Sequence, residues 1–227
     1  MVYFDKSWPA PVSLSTESQK SSGKYNKEDV LTQLKQDFYN KCYLCECKAP
    51  NVINVEHFRP HMGNTSMKFD WGNLFWSCGH CNNVKLNKYT NIIDCTSVVE
   101  GIDQRIKINM DPIYGAEVEI ENLDNNPSTI ETTELLKAIY NGTGSTTLKR
   151  LEGANIKKDI VDELFKFYGI VNQYLDEDFE GKESHYKQLI VQELRTHLSN
   201  SSPFTAIKRW KIRTNEYYNS KLEQFIN

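Results

Sequence analysis

The sequence predicts a mostly helical α+β protein: a small metal-clamped unit of two strands and a helix, followed by a helical C-terminal region. Three observations predict it. Two Cys-x-x-Cys pairs, Cys42/Cys45 and Cys78/Cys81, stand 32 residues apart with short apolar runs between them. In the C-terminal half, Leu, Ile, Val and Phe recur at three- and four-residue spacings, the period of an amphipathic helix. The chain has 227 residues, 39% hydrophobic and 25% charged, which is enough for a packed core and unlike a disordered or fibrous chain.

Taken in order, residues 1–25 are rich in Ser and Pro and read as an extended lead-in. Asn26 is placed to cap a helix over 27–40, whose Val30, Leu31, Leu34 and Phe38 share the helical period. Between 42 and 81 the pattern suggests two strands, a loop and a short helix. An acidic stretch at 117–134 contains the turn Asn125-Asn126-Pro127. Helices are expected near 129–140, 146–178 and 183–199, and Ser202-Pro203 is expected to open a last one, with Ser as cap and Pro in the first turn. The expected division is an N-terminal part, 1–110, and a helical part, 111–227, suited to binding a partner.

No run of residues approaches the roughly 18 apolar positions needed to span a bilayer. The opening residues have no basic stretch leading into an apolar one, so the expected compartment is the reducing cytoplasm. There, six cysteines point to metal ligation or free thiols rather than disulfides. A two-residue gap lets both thiolates of a knuckle face one Zn²⁺, and two knuckles complete a closed tetrahedral shell, the form of a structural site. Cys42, Cys45, Cys78 and Cys81 are the expected zinc ligands. Cys47 and Cys95 lack partner spacing and are expected to be free, and His80 is expected at the surface rather than as a fifth ligand.

Between the knuckles, an apolar stretch delivers Glu56 and His57 side by side, followed by Phe58, Arg59 and Pro60. Trp71-Gly72-Asn73-Leu74 comes next, and then Cys81-Asn82-Asn83-Val84-Lys85 opening a helix. A base, a carboxylate, amide oxygens and two cations within one short unit form the inventory that phosphodiester hydrolysis needs. A water must lose a proton near neutral pH, which suits imidazole. The charge that develops on oxygen suits a hard divalent cation held by oxygen ligands. Phe69, Trp71, Phe75 and Trp76 are expected to form the hairpin's small core.

The pattern Cys-x-x-Cys, Glu-His-Phe-Arg-Pro, Trp-x-Asn-Leu and Ser-Cys-x-x-Cys-Asn-x-x-Lys resembles the HNH nucleases, whose ββα-metal hairpin carries the catalytic centre. Within them it is most similar to the PtuB family of Septu and retron-associated anti-phage modules. The likeness is specific over 42–90. It extends more loosely to 29–41, to Asn141-Gly142-Thr143-Gly144 and to the segment from Ser202 to Trp210. The resemblance implies a zinc-clamped ββα-metal module that cuts DNA, with His57 as general base and Asn73 holding the loop and orienting that base. It implies Glu56 and Asn82 as ligands of a catalytic Mg²⁺ or Mn²⁺, with Asn83 the alternative to Asn82. Arg59 and Lys85 fall at basic positions near the scissile phosphate. His61 stands where similar sequences often have Lys, so no role carries over to it. The resemblance also implies an ATPase partner of the PtuA type. The competing reading is a zinc-containing module that binds nucleic acid or protein without cutting.

A net charge of −3 argues against a nucleic-acid partner when taken alone, because phosphate-binding domains usually carry positive charge. Its distribution removes the objection. Residues 41–90 hold Lys41, Lys48, Arg59, Lys68, Lys85 and Lys88 against only Glu46, Glu56 and Asp70, and 203–227 are basic as well. The acids concentrate at 159–183, a surface suited to solvent or to a basic partner.

Overall fold

A computed structural model describes residues 1–97, 101–142 and 146–226. Helices dominate it, with two small two-stranded sheets, so the mostly helical α+β class holds. Of the Asn141-Gly142-Thr143-Gly144 segment, the last two residues lie outside the described ones.

The lead-in is not wholly extended, because α1 (Val12–Ser18) forms within it. Two carboxylates of α2 (Glu28–Asp37) tie this segment down. Asp29 accepts the Ser13 N–H at 3.0 Å and its hydroxyl at 2.6 Å, while Asp37 does the same for Ser7 at 3.1 and 2.6 Å. α2 starts after Lys27, and Asn26 provides no cap. Val30, Leu34 and Phe38 enter the core, whereas Leu31 is exposed.

The central unit is an antiparallel pair, β1 (Ile53–His57) and β2 (Leu74–Cys78), joined by a loop that carries the short α3 (Thr65–Lys68). Its register runs from Ile53 opposite Cys78 to His57 opposite Leu74. α4 (Gly79–Lys85) follows β2 directly, so the order strand, loop, strand, helix matches the expectation for this stretch. Gly79 packs closely here: a Cβ would stand 3.0 Å from Val52 Cγ1. Trp71, Phe75 and Trp76 are buried and Phe69 packs against the same core, as expected of a hairpin core. Lys6 lies over the Trp71 ring and donates to the Leu74 carbonyl at 2.8 Å, so the lead-in seals one side.

After α5 (Ile102–Arg105), β3 (Ile106–Asn109) pairs with β4 (Glu119–Asn122), a sheet that the acidic composition of this stretch concealed. α6 (Pro127–Asn141) begins with Asn126 accepting the Ser128 N–H at 3.0 Å and ends at Gly142. α7 (Thr147–Tyr174) packs beside it and α8 (Ser184–Leu198) packs on α7, burying Ile156, Ile160, Leu164, Phe167 and Leu194 among others. The last expected helix is two. α9 (Thr205–Arg213) follows Phe204 rather than Ser202-Pro203, and Asn215 caps α10 (Glu216–Leu222) by accepting the Tyr218 N–H at 3.0 Å.

The boundary expected at 110/111 falls between β3 and β4, so one sheet takes a strand from each side. Among the described residues a single hydrophobic cluster runs from Met1 to Ile226. Among the described residues, no helix is long and apolar enough to cross a membrane.

Candidate metal centres and catalytic cleft

The four cysteines converge. Cys42 and Cys45 lie in the turn after α2, held by Glu46 N–H donating to the Cys42 carbonyl at 3.0 Å and Tyr43 N–H to the Trp76 carbonyl at 3.1 Å. Cys78 ends β2 and accepts the Cys81 N–H at 3.4 Å, so the second knuckle is also the N-terminus of α4. All four sulfurs are buried and lie within 4.8 Å of one another, with Cys45 and Cys78 3.8 Å apart. A tetrahedron with metal–sulfur bonds of about 2.3 Å has edges near ~3.8 Å, so the cluster fits a metal such as zinc. Cys47 and Cys95 stand outside it. Burial pushes the Cys47 thiol up to about 12, which makes it a poor nucleophile at neutral pH.

The knuckles are anchored on the helical region. Lys41 donates to the carbonyls of Asn200 and Ser202 at 2.8 and 2.7 Å, and Glu46 accepts the Ala206 N–H at 3.2 Å. His80 is not a surface residue: it is buried, with Nδ1 2.9 Å from Glu152 of α7 and Nε2 2.9 Å from the Ile139 carbonyl of α6. Sequence reasoning missed this role because both partners lie far along the chain.

At the opposite end of the hairpin, Glu56, His57, Asn82 and His61 line one open cleft of about 340 Å³. Asn73 organises the approach to it. Its Oδ1 accepts the Arg59 N–H at 2.7 Å, and its Nδ2 donates to the carbonyls of Arg59 and Met67 at 2.9 and 3.1 Å. Three backbone groups of one loop thus hang on a single buried amide. That loop places Lys68 so that its carbonyl accepts from His57 Nε2 at 3.0 Å. The proton of the neutral ring therefore sits on Nε2, and Nδ1 keeps the lone pair. Tyr25 and His61 meet the ring edge to face at 4.5 and 4.6 Å between centroids. Burial is the main reason the His57 pKa falls below the usual imidazole value; neighbouring His61, Lys68 and Lys85 lower it further, against the Lys68 carbonyl.

Glu56 is buried and 2.9 Å from Lys85 Nζ, an ion pair without the alignment of a hydrogen bond, and its second oxygen has no partner. Burial raises its pKa against the opposing charge of Lys85. Lys85, expected at the substrate phosphate, is instead fully buried, with His57's carbonyl as its other partner at 3.3 Å. Its short reach inward from the last turn of α4 makes it the counter-ion of Glu56 rather than a surface cation. Arg59 is exposed and does not line the cleft. Asn82 lines it, while Asn83 faces outward and its carbonyl accepts from Lys149 at 2.7 Å.

Glu56, whose two carboxylate oxygens are buried without hydrogen-bond partners, and Asn82 line the same open cleft. The same cleft offers an imidazole lone pair held in one tautomer. Together these groups can deprotonate a water and bear on an anionic oxygen. Compared with models of protein families and with characterised proteins, the chain finds no match.

Proposed function

We propose that this protein is a metal-dependent nuclease of the HNH, ββα-metal kind that hydrolyses phosphodiester bonds in DNA, with zinc on the four cysteines and Mg²⁺ or Mn²⁺ at Glu56 and Asn82. The observation that carries the reading is the convergence of Glu56, His57 and Asn82 on one open cleft, with Glu56 Oε2 unpartnered. A divalent cation bound there supplies charge stabilisation at the phosphate and leaving oxygen. His57 Nδ1 takes the proton of the attacking water. The Lys68 carbonyl, already bonded to Nε2–H, steadies the imidazolium that results. Asn73 contributes by holding the loop that positions both. A role in anti-phage defence beside an ATPase of the PtuA type rests on the motif resemblance alone.

The test is cleavage of plasmid DNA with Mg²⁺ or Mn²⁺, by the protein alone and together with an ATPase of the PtuA type. His57→Ala should lose about 10²- to 10⁴-fold in rate, the usual worth of a general base, with zinc content and folding retained. An unimpaired His57→Ala enzyme sinks the reading. DNA binding without cleavage under either ion and with the ATPase present would instead support the non-catalytic zinc module.

A further inference from the structure

The cleft lacks the two cations that the sequence placed at the phosphate, since Lys85 is buried against Glu56 and Arg59 lies outside the lining. His61 occupies the cleft instead, and its surroundings define what it can do. The chain turns sharply at His61–Asn64, closed by Asn64 N–H donating to the His61 carbonyl at 2.7 Å, with Met62 at φ 47° and Gly63 at φ 85°. Two successive left-handed residues aim the Gly63 N–H back at the imidazole, and glycine adopts such a φ without the strain other residues meet. That N–H donates to His61 Nδ1 at 3.1 Å. Nδ1 is therefore the acceptor nitrogen, and the proton of the neutral ring is on Nε2. Among the described residues Nε2 has no protein partner.

His57 and His61, with ring centroids 4.6 Å apart, are thus held in the same tautomer but used in opposite senses. His57 gives its Nε2–H to Lys68 and keeps a free lone pair, whereas His61 gives its lone pair to Gly63 and keeps a free N–H. We infer that His61 is the phosphate donor of the cleft, its Nε2–H bonding a non-bridging oxygen of the scissile phosphodiester while His57 activates the water; this deepens the nuclease reading and rests on it. In the step, the water oxygen forms a bond to phosphorus as its proton passes to His57 Nδ1. The bond from phosphorus to the leaving oxygen breaks, and that oxygen takes a proton from solvent. His61 keeps its proton throughout and stabilises the negative charge on the non-bridging oxygen. A metal-ligand role for His61 is the rival. Ligation through Nε2 would require the proton on Nδ1, donor against donor with the Gly63 N–H.

The full chain, with an ATPase of the PtuA type if cleavage needs one, should be compared as wild type, His57→Ala, His61→Ala and His61→Gln. His61→Ala should lower kcat by about 10²- to 10³-fold, the scale of deleting one transition-state donor, and His61→Gln, which keeps an N–H, should recover at least about tenfold of that loss. Mn²⁺ affinity measured by calorimetry should be unchanged in both. A His61→Ala enzyme within about threefold of wild type, beside an inactive His57→Ala, overturns the inference and leaves the nuclease standing. A Mn²⁺ affinity weakened about tenfold or more, with no rescue by Gln, overturns it in favour of a metal ligand. If the wild type never cleaves, the nuclease reading fails instead. Side-chain ¹H–¹⁵N spectra titrated with inorganic phosphate then decide the donor: a neutral Nε2–H tautomer at His61 whose Nε2 signal moves supports it, and a stationary signal overturns it.

Discussion

The two ends of the β1–β2 hairpin differ in what they leave unsatisfied. At the Ile53–Cys78 end, four sulfurs face one another in a buried cluster, and the knuckles around it are stitched to α6, α7 and α9 by His80, Lys41 and Glu46. At the His57–Leu74 end, only a few residues away, Glu56, His57 and His61 line an open cleft. A closed shell has no position for substrate, whereas an open cleft does, so the same short sheet separates a sealed cluster from an accessible one. The contrast teaches that rigidity at one end holds the other. The unpartnered groups stay in place because the strand carrying Glu56 and His57 is paired with the strand that ends at Cys78.

The largest expected effect comes from removing the closed end. Structural zinc contributes apparent binding free energies of about 10–16 kcal/mol at neutral pH, far above the stability of a typical domain. Purified protein should carry one zinc per chain by elemental analysis. Cys78→Ala or strong chelation should expose the amides of β1 and β2 to hydrogen exchange. Retained protection of β2 in Cys78→Ala would break the contrast outright.

Next in size is the ion pair that lies between the two ends. Lys85→Ala leaves Glu56 buried without its counter-ion, and removing one partner of a buried pair costs about 3–5 kcal/mol. Urea denaturation measures it, and the double variant Lys85→Met with Glu56→Gln, which has no charge to strand, should recover most of the loss. A cost below about 1 kcal/mol for Lys85→Ala would mean that water reaches the pair, and the open end would then extend deeper than the cleft.

The second hairpin supplies the control. Ile108, fully buried in β3, faces Ile120 across the pair. Ile108→Ala should cost about 2–4 kcal/mol through lost burial and the cavity left behind. It should leave the rate per folded molecule unchanged, because this sheet contributes nothing to the cleft. Loss of activity without loss of stability would show that the two sheets are coupled.

How much of this was legible in sequence follows from the range of each interaction. The cysteine pairs and the strand–loop–strand–helix order were readable because local spacing sets them, whereas Asn73 and Asn82 stood out only through the motif resemblance. The burial of Lys85 and the clamp at His80 were not, since each depends on a partner about thirty or more residues away. α1 was missed because its tether is Asp29 on another helix. β3 and β4 were missed because four-residue strands gain their stability from pairing and packing rather than from propensity. The single last helix divided because Asn215 caps a new turn, a local signal that was present in the sequence.

The smallest effect tests whether the helical region seals charge as tightly as the hairpin does. Lys208 of α9 is fully buried, 2.9 Å from the Ser202 hydroxyl and 3.4 Å from both Glu163 of α7 and His197 of α8, with Lys166 close to that carboxylate and Lys41 and Glu46 beyond. Burial brings its pKa down to about 8, against the opposing pull of Glu163. The unfolded lysine holds its proton to about 10.4, so between roughly pH 8 and 10.4 the unfolded chain binds the extra proton and stability rises with pH. Below pH 8 both states are protonated and the full cost of burying the charge applies. Relative to Lys208→Met, which does not titrate, the wild type should therefore gain about 1 kcal/mol per pH unit across that window, measured by urea unfolding at pH 7.5, 9 and 10. The shifts of His197 and Glu163 are both downward and lie below the window, so they do not disturb the comparison. A difference that stays flat across the window would mean that Lys208 keeps its proton in the folded state, and that Glu163 compensates the buried charge as fully as Lys85 compensates Glu56.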